Sequence, residues 1–319
     1  MKKAVVLISM LSVAGLAGPA LADGETVAVF TKNQTNPFFE SVRVGAAAAA
    51  KDVGAKVIQY VPIKPDSIPE QLSQVEDAIV KKPNALLFTP VDYKALVPAI
   101  EKVNAAGIPV TGLTDRLAGG KLVAFVGAED HRLGLETGQS LLKAMGGKGN
   151  VVALEGVRGS ISNTDRMKGF MDALKEFPNV KLVATQPANY QRLQALQVME
   201  NIMQTHPQID GVYAANDAMA TGAVEAMSAA NRKALVAGIN GSQEAIDLIK
   251  AGKMHATGSS DPFMQGCLGM LNTIRSLRKM PVQAEMMVTP VIIDSSNLKQ
   301  YDVPVTSRSC PKIGEVAAK

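Results

Sequence analysis

The chain has no tryptophan, and only eight phenylalanines and five tyrosines among its 319 residues. Two rings side by side, as at Phe38-Phe39, are therefore a large share of a small supply. Histidine is rarer still. His131, His206 and His255 are scattered, without metal-ligand spacing, so neither a metal nor a cofactor is expected. Enzyme signatures are missing: there is no G-x-S-x-G elbow, no H-E-x-x-H and no P-loop. Gly146-Gly147-Lys148-Gly149 precedes an apolar run instead of following one, which excludes a dinucleotide loop. Beyond the N-terminus no stretch is apolar enough to span a bilayer.

The N-terminus itself is distinctive. Met1-Lys2-Lys3 leads into an apolar run from Ala4 to about Leu16, then Gly18-Pro19-Ala20-Leu21-Ala22. A basic start, a short apolar run and an A-x-A site predict a secretory signal peptide of the Sec type, cut after Ala22, and export to a periplasm-like space. No cysteine stands near that site and no twin arginine precedes it, so neither a lipoprotein anchor nor the twin-arginine route is indicated. Of the 33 basic residues Lys2 and Lys3 fall in this leader, and the remainder nearly balances the 29 acids. A near-neutral chain implies neither nucleic acid nor an anionic membrane as partner. The two cysteines, Cys267 and Cys310, could pair in an oxidising compartment, tying a C-terminal tail to an earlier helix; two buried free thiols are the alternative.

From Thr26 onward, short apolar runs alternate with helix-like stretches. Strands are expected at Thr26–Phe30, Lys56–Tyr60, Ala85–Phe88, from Ile108, and at Leu122–Val126; then at Val151–Leu154, Lys181–Gln186, Gly211–Ala214, Ala234–Ile239, Ala256–Gly258 and Val288–Ile293. Helices are expected between them. Asn36-Pro37 is a turn and cap signal, and Ser67-Ile68-Pro69-Glu70 reads as a capping box with proline at the helix start. This alternation means βαβ units and parallel sheets covered on both faces. One sheet holding every strand would be unusually wide, so two α/β domains are predicted. No long Gly/Ser or Pro linker divides the halves, which favours short connectors that cross more than once.

In open parallel sheets ligands sit beyond the carboxyl ends of strands. Standing there are Asn36, Phe38 and Phe39, then Thr89 to Asp92, then Thr114, Asp115 and Arg116. The second half offers Arg158, Asn163, Asp165, Arg166, Asn189 to Arg192, Asn216-Asp217, Asn240 to Ser242, and Ser259 to Asp261. Hydrogen-bonding side chains with a few rings suit a small, neutral, hydroxyl-rich molecule. Amides, carboxylates and guanidinium forks pair with hydroxyls, and flat rings cover a sugar's C–H faces. Each residue has a plainer reading too. Phe38 and Phe39 could be a helix's core face, Asn216-Asp217 only a cap, and Asp115-Arg116 a surface ion pair.

Six motifs carry a family resemblance: Asn36-Pro37-Phe38-Phe39, Asp115-Arg116, Arg166 to Phe170, Gln186 to Tyr190, Asn216 to Ala220, and Gly238 to Gly241. Any one is weak; together, in order and each at a strand end, they are specific. From about Glu25 to Ile293 the chain resembles a periplasmic sugar-binding protein of the ribose-binding type, the soluble component of a pentose/hexose ABC importer. The resemblance implies the type I periplasmic binding protein fold, two doubly wound parallel-sheet domains joined by a three-stranded hinge near residues 127, 261 and 289. Residues 23–127 plus 262–288 would form the N-terminal domain, and 128–261 plus 289–319 the C-terminal one. It further implies a sugar held in the interdomain cleft by Asn36, Phe38, Phe39, Asp115 and Arg116 on one wall, and by Arg166, Tyr190, Asn216 and Asn240 on the other, with Ser260 at the hinge.

Three positions depart from the family's ribose binders. Asn240 stands where they carry aspartate, Ser260 where they carry glutamine, and Tyr190 where they carry phenylalanine. A site built to pair hydroxyls discriminates strongly, so a different pentose, a hexose or an acyclic polyol fits as well as ribose. No acidic calcium loop is present. The expectation is a monomeric, non-enzymatic receptor that delivers sugar to a membrane permease. An exported sugar-acting enzyme, and a receptor presenting a sugar or furanose signal to a chemoreceptor, are the alternatives. A cytoplasmic repressor would need a helix-turn-helix where the leader stands.

Overall fold

The computed structural model describes residues 24–316; the leader and its cleavage after Ala22 lie outside the described residues. The elements run β1 (Thr26–Phe30), α1 (Pro37–Asp52), β2 (Lys56–Tyr60), α2 (Ile68–Lys81), β3 (Ala85–Phe88), α3 (Val97–Ala105), β4 (Val110–Thr114) and β5 (Ala124–Ala128). Next come α4 (Asp130–Ala144), β6 (Lys148–Glu155), α5 (Ile161–Lys175), β7 (Asn179–Pro187), α6 (Arg192–Thr205), β8 (Gly211–Ala214), α7 (Asp217–Ala229), β9 (Leu235–Ile239), α8 (Gln243–Lys250) and β10 (Ala256–Ser259). The last are α9 (Pro262–Leu277), β11 (Glu285–Val288) and β12 (Val291–Asp294).

They form two six-stranded sheets, ordered β11-β5-β4-β3-β1-β2 and β12-β10-β9-β8-β6-β7. The two halves repeat one plan. In each, the strand order reverses beside the first strand, β1 or β6, and a crevice opens there at the carboxyl ends. β3 and β8 are buried throughout, as are all of β1 but its first residue and the Val151–Leu154 stretch of β6, as strands covered on both faces require.

The chain passes between the sheets three times: from β5 to α4, from β10 to α9, and from β11 to β12. The expected single strand over 288–293 is two strands in two different sheets. Thr289-Pro290 separates them, since proline offers no N–H to a ladder. β12 arrives directly from the other domain with no crossover helix, so it pairs antiparallel with β10, unlike every other pair. α3 begins at Val97, where Pro98 takes an early helical position.

Local chemistry sets the helix starts. Asn36 Oδ1 accepts from Phe38 N at 3.0 Å, and Pro37 opens α1. Ser67 Oγ accepts from Glu70 N at 3.4 Å. The reciprocal half of that capping box does not form, because Glu70 Oε2 instead accepts from Ile63 N at 2.6 Å and steadies the preceding loop.

α9 packs against α1 and the first sheet, with Phe263, Cys267, Met270 and Ile274 in one core with Val27, Phe38 and Val42. The expected boundary at the C-terminus needs correction. Leu298 and Asp302 hold to the second domain, but Cys310 is bonded to Cys267 of α9, and Val316 is 3% exposed within the first domain's core. The end of the tail belongs to the first domain, because burying Val316 and bonding Cys310 outweigh continuity with β12.

Candidate ligand site between the domains

The loop after β1 enters the cleft held from behind. Arg43 Nη1 donates to Thr31 Oγ1 at 3.0 Å and Asn33 O at 3.2 Å, and Asn33 Oδ1 accepts from Asn36 N at 3.0 Å. This presents Lys32, Asn33, Asn36, Phe38 and Phe39 to a cavity shared by both domains. The two rings meet edge to face with centroids 5.2 Å apart. Both also belong to the first domain's core, so the core reading and the site reading of Phe38-Phe39 hold together.

At the end of β4, Thr114 takes φ +65°, a costly conformation for a β-branched residue. Asp115 follows, with Oδ2 2.5 Å from Lys32 Nζ. Its other oxygen, Oδ1, is buried and has no hydrogen-bond partner. Burial disfavours the Lys32 ammonium, but the charge and hydrogen bond of Asp115 prevail and leave its pKa raised, so it stays charged. Asp66, beyond β2, completes this wall; burial raises its pKa, and Asn33 Nδ2 donates to it at 3.3 Å.

The opposite wall consists of Val157, Ser160, Ser162, Arg166, Tyr190 and Asn240. Arg166 is 6% exposed; its Nε donates to Asp130 Oδ1 at 2.7 Å and its Nη1 to Ala215 O at 2.9 Å. Asp130 is pushed up to about 6 by burial, against the pull of Arg166. α4 and α5 approach closely enough that a Cβ on Gly134 would lie 2.0 Å from Arg166 O, so glycine there is what sets the depth of Arg166. Tyr190 sits at φ +60°, with its hydroxyl 3.3 Å from Ser162 Oγ. Its ring lies where a Cβ on Gly156 would be, only 2.1 Å from Cζ. Asn240, at φ +142°, donates from Nδ2 to Asn36 Oδ1 at 3.5 Å across the cleft.

Asn36, Phe38, Phe39, Asp115, Arg166, Tyr190 and Asn240 thus line one cavity. Three expected residues do not. Arg116 is about half exposed; it pairs with Glu285 and stacks 4.2 Å from the Phe125 ring centroid, so two neighbouring strands hold it away. Asn216 is fully buried, with Oδ1 capping α7 through Met219 N at 2.9 Å and Nδ2 donating to Tyr190 O at 3.3 Å. It positions Tyr190 instead of facing the cavity. Ser260 Oγ accepts from Gln265 Nε2 at 3.0 Å within the hinge. Conversely, Lys32, Asn33, Asp66 and Ser162 line the cavity without having been anticipated, and Thr114, expected only as a strand-end residue, lines it too. The strand-end rule covers Lys32 and Asp66, but such charges ordinarily read as solvated.

Over residues 27–278 the sequence matches the periplasmic binding protein domain. The chain belongs to the periplasmic binding protein family. This binding protein is 36% identical to the ribose import binding protein of Bacillus subtilis (strain 168), over 84% of its own length and 91% of the relative's. It is also 36% identical to the D-apiose import binding protein of Paraburkholderia graminis, covering 72% of this chain and 74% of that one. A periplasmic solute-binding protein of an ABC transporter from Actinobacillus succinogenes, solved with bound D-allose, superposes with a TM-score of 0.83 at 36% identity, over 87% of this chain and 100% of that chain. The two relatives are named as import binding proteins and the solved structure as a solute-binding protein, none as an enzyme. Among the described residues of this periplasmic binding protein, no group of His, Cys, Asp or Glu could hold a metal ion, and no helix is long and apolar enough to cross a membrane.

Proposed function

We propose that the protein is a periplasmic receptor for a small neutral sugar or polyol, bound between the domains by residues of both walls and handed to an ABC importer. The observation that carries this is Asp115 Oδ1, a buried, unpartnered acceptor in the lining of an interdomain cavity. A buried acceptor without a partner is costly, and a ligand hydroxyl removes that cost. The lining is charge-balanced, with Lys32 and Arg166 against Asp66 and Asp115. A sugar acid or sugar phosphate would meet the two carboxylates, whereas hydroxyls find both donors and acceptors. Phe38, Phe39 and Tyr190 supply the flat apolar surface for C–H faces.

The cavity holds about 50 Å³, room for a few waters, so a sugar ring requires the walls to part slightly from this arrangement. Opening at the three crossovers admits the ligand. Because it touches both walls, its differential affinity then favours closure. The closed form, as a monomer, docks on the membrane permease. Export through the Sec route with cleavage after Ala22 completes this reading.

A thermal-shift screen of the mature protein against pentoses, hexoses and polyols tests it. A ligand at a hundred times its Kd stabilises by about 2.7 kcal/mol through mass action, an easily read rise in Tm. No shift with any polyhydroxylated compound overturns it.

A further inference from the structure

The C-terminal tail is a fourth connection between the domains, and the only one outside the three crossovers among the described residues. Its second-domain anchor is Asp302, whose Oδ2 lies 2.5 Å from Lys250 Nζ and whose Oδ1 accepts from Gln243 Nε2 at 2.9 Å. Its first-domain anchor is Cys310, bonded to Cys267 of α9. Downstream of that bond, Arg275 Nη1 donates to Ile313 O at 2.7 Å, and Val316 is buried in the first core. Only residues 303–309 lie between the anchors.

This short span also touches the pivot. Arg308 Nη2 lies 2.5 Å from Asp261 Oδ2, and its guanidinium stacks 4.9 Å from the Phe263 ring. Asp261 is the middle crossover itself: it sits at φ +46°, and its Oδ1 caps α9 through Met264 N at 3.0 Å. One carboxylate therefore serves both the helix that starts at the hinge and the tail that crosses it. Along the way the tail covers a second cavity of about 340 Å³, walled by Pro37 and Glu40 of one domain and by Ser242 and Ile246 of the other.

We propose that the segment 303–310 is a latch that favours the closed arrangement of the domains. In the structure the Asn36–Asn240 contact spans the cleft while both anchors and the Arg308–Asp261 pair are made at once. Rotation about the crossovers moves Lys250 relative to Cys267. The span has little slack: straightening the 3₁₀ turn at Val305–Ser307 yields only about 4 Å, from roughly 2.0 to 3.3 Å per residue. A wider opening breaks the Arg308–Asp261 pair or the Asp302 anchor, and either loss counts against the open form. The disulfide matters because it stops the first-domain end from yielding instead.

The test uses full-length mature protein with Arg308→Gln, with Asp302→Asn, and with Cys267→Ala/Cys310→Ala. Small-angle X-ray scattering without sugar reads the domain arrangement directly. The latch requires a larger radius of gyration than wild type in each variant, the largest in the cysteine pair. With D-allose as probe in titration calorimetry, affinity then falls on the order of two- to five-fold for the two ion-pair variants, the shift a half-exposed pair makes in a two-state equilibrium. Unchanged scattering in all three variants overturns the latch, as does a tighter apo form or a gain in affinity. If the cysteine variant fails to fold, the two ion-pair variants decide alone. The calorimetric arm rests on the sugar reading and the scattering arm does not. Failure of every sugar to bind therefore counts against that reading, while scattering still decides the latch.

Discussion

Asp115 gives Oδ2 to Lys32 Nζ at 2.5 Å and keeps Oδ1 buried and unpaired, so one carboxylate both neutralises a buried cation and offers an acceptor to the cleft. The two roles separate by mutation. Asp115→Ala removes the acceptor and strands an ammonium that is almost fully buried. Sugar affinity is expected to fall by about 2 kcal/mol or more, roughly 30-fold, and the unliganded protein to lose about 3 kcal/mol of stability. The double variant Lys32→Met/Asp115→Leu replaces the pair with apolar groups, which is often neutral for stability. It is expected to recover Tm in calorimetry and not affinity in titration. Recovery of both would remove Asp115 from the site.

Tyr190 depends on a neighbour that has no side chain. Its ring occupies the space a Cβ at Gly156 would take, 2.1 Å from Cζ. Gly156→Ala is expected to push the ring toward the cavity and weaken sugar binding about tenfold, with the loss of fit a misplaced wall residue brings. Gly156 itself has φ outside the left-handed region, so the backbone adds no strain, but displacing the packed ring costs about 1–3 kcal/mol and Tm falls by several degrees. Tyr190→Phe keeps the ring and removes only the bond to Ser162, at a cost of about 1 kcal/mol or less. If Gly156→Ala binds like wild type, the ring is not a contact surface.

The alternation of apolar runs made both sheets readable in advance, because buried parallel strands are nearly continuous apolar segments and the helices between them carry their own caps. Asn36-Pro37 and the motif residues at strand ends were legible for the same reason. What escaped reading depended on partners distant in the chain. Arg116 leaves the cavity because Glu285, on a strand 169 residues later, captures it. Lys32 enters because Asp115 neutralises it, and no local pattern reveals that pair. The end of the tail joins the first domain although β12 leads into it from the second, because Cys267 and the pocket for Val316 lie on the first.

The Cys267–Cys310 bond closes a separation of 43 residues. In the chain-entropy account such a loop stabilises by about 4 kcal/mol. Reduction with a phosphine is expected to lower Tm by roughly 8–16 °C, at about 2–4 °C per kcal/mol for a protein of this size class. Calorimetry with and without reductant checks it. An unchanged Tm would mean that Arg275, Val316 and their contacts hold the tail without the bond.

Stability is expected to rise, not fall, as pH drops from 7 to 5. Burial pushes Asp130 and Asp217 each up to about 6, above the ordinary value of 3.8 that applies when the chain is unfolded. Between those values the folded protein binds more protons than the unfolded one, so acidification through that window favours folding. Carboxylates shifted the other way act lower. Asp172, held at about 2 by hydrogen bonds from Lys175 and His131, gives up its contribution only below about pH 4. Tm is therefore expected to climb by a few degrees from pH 7 to pH 5 and to turn over below about 4. Asp217→Asn isolates one term. Its amide oxygen can still accept from Ser242 N, as Asp217 Oδ2 does at 2.8 Å, and its NH₂ can donate to Thr257 Oγ1, which now lies 2.7 Å from Oδ1. The variant mimics the protonated acid, so it is expected to exceed wild type most at pH 7, by less at pH 5, and to approach it only near pH 4, flattening the profile between. A variant less stable than wild type at both pH values would show that the charge on Asp217 is needed for its two bonds.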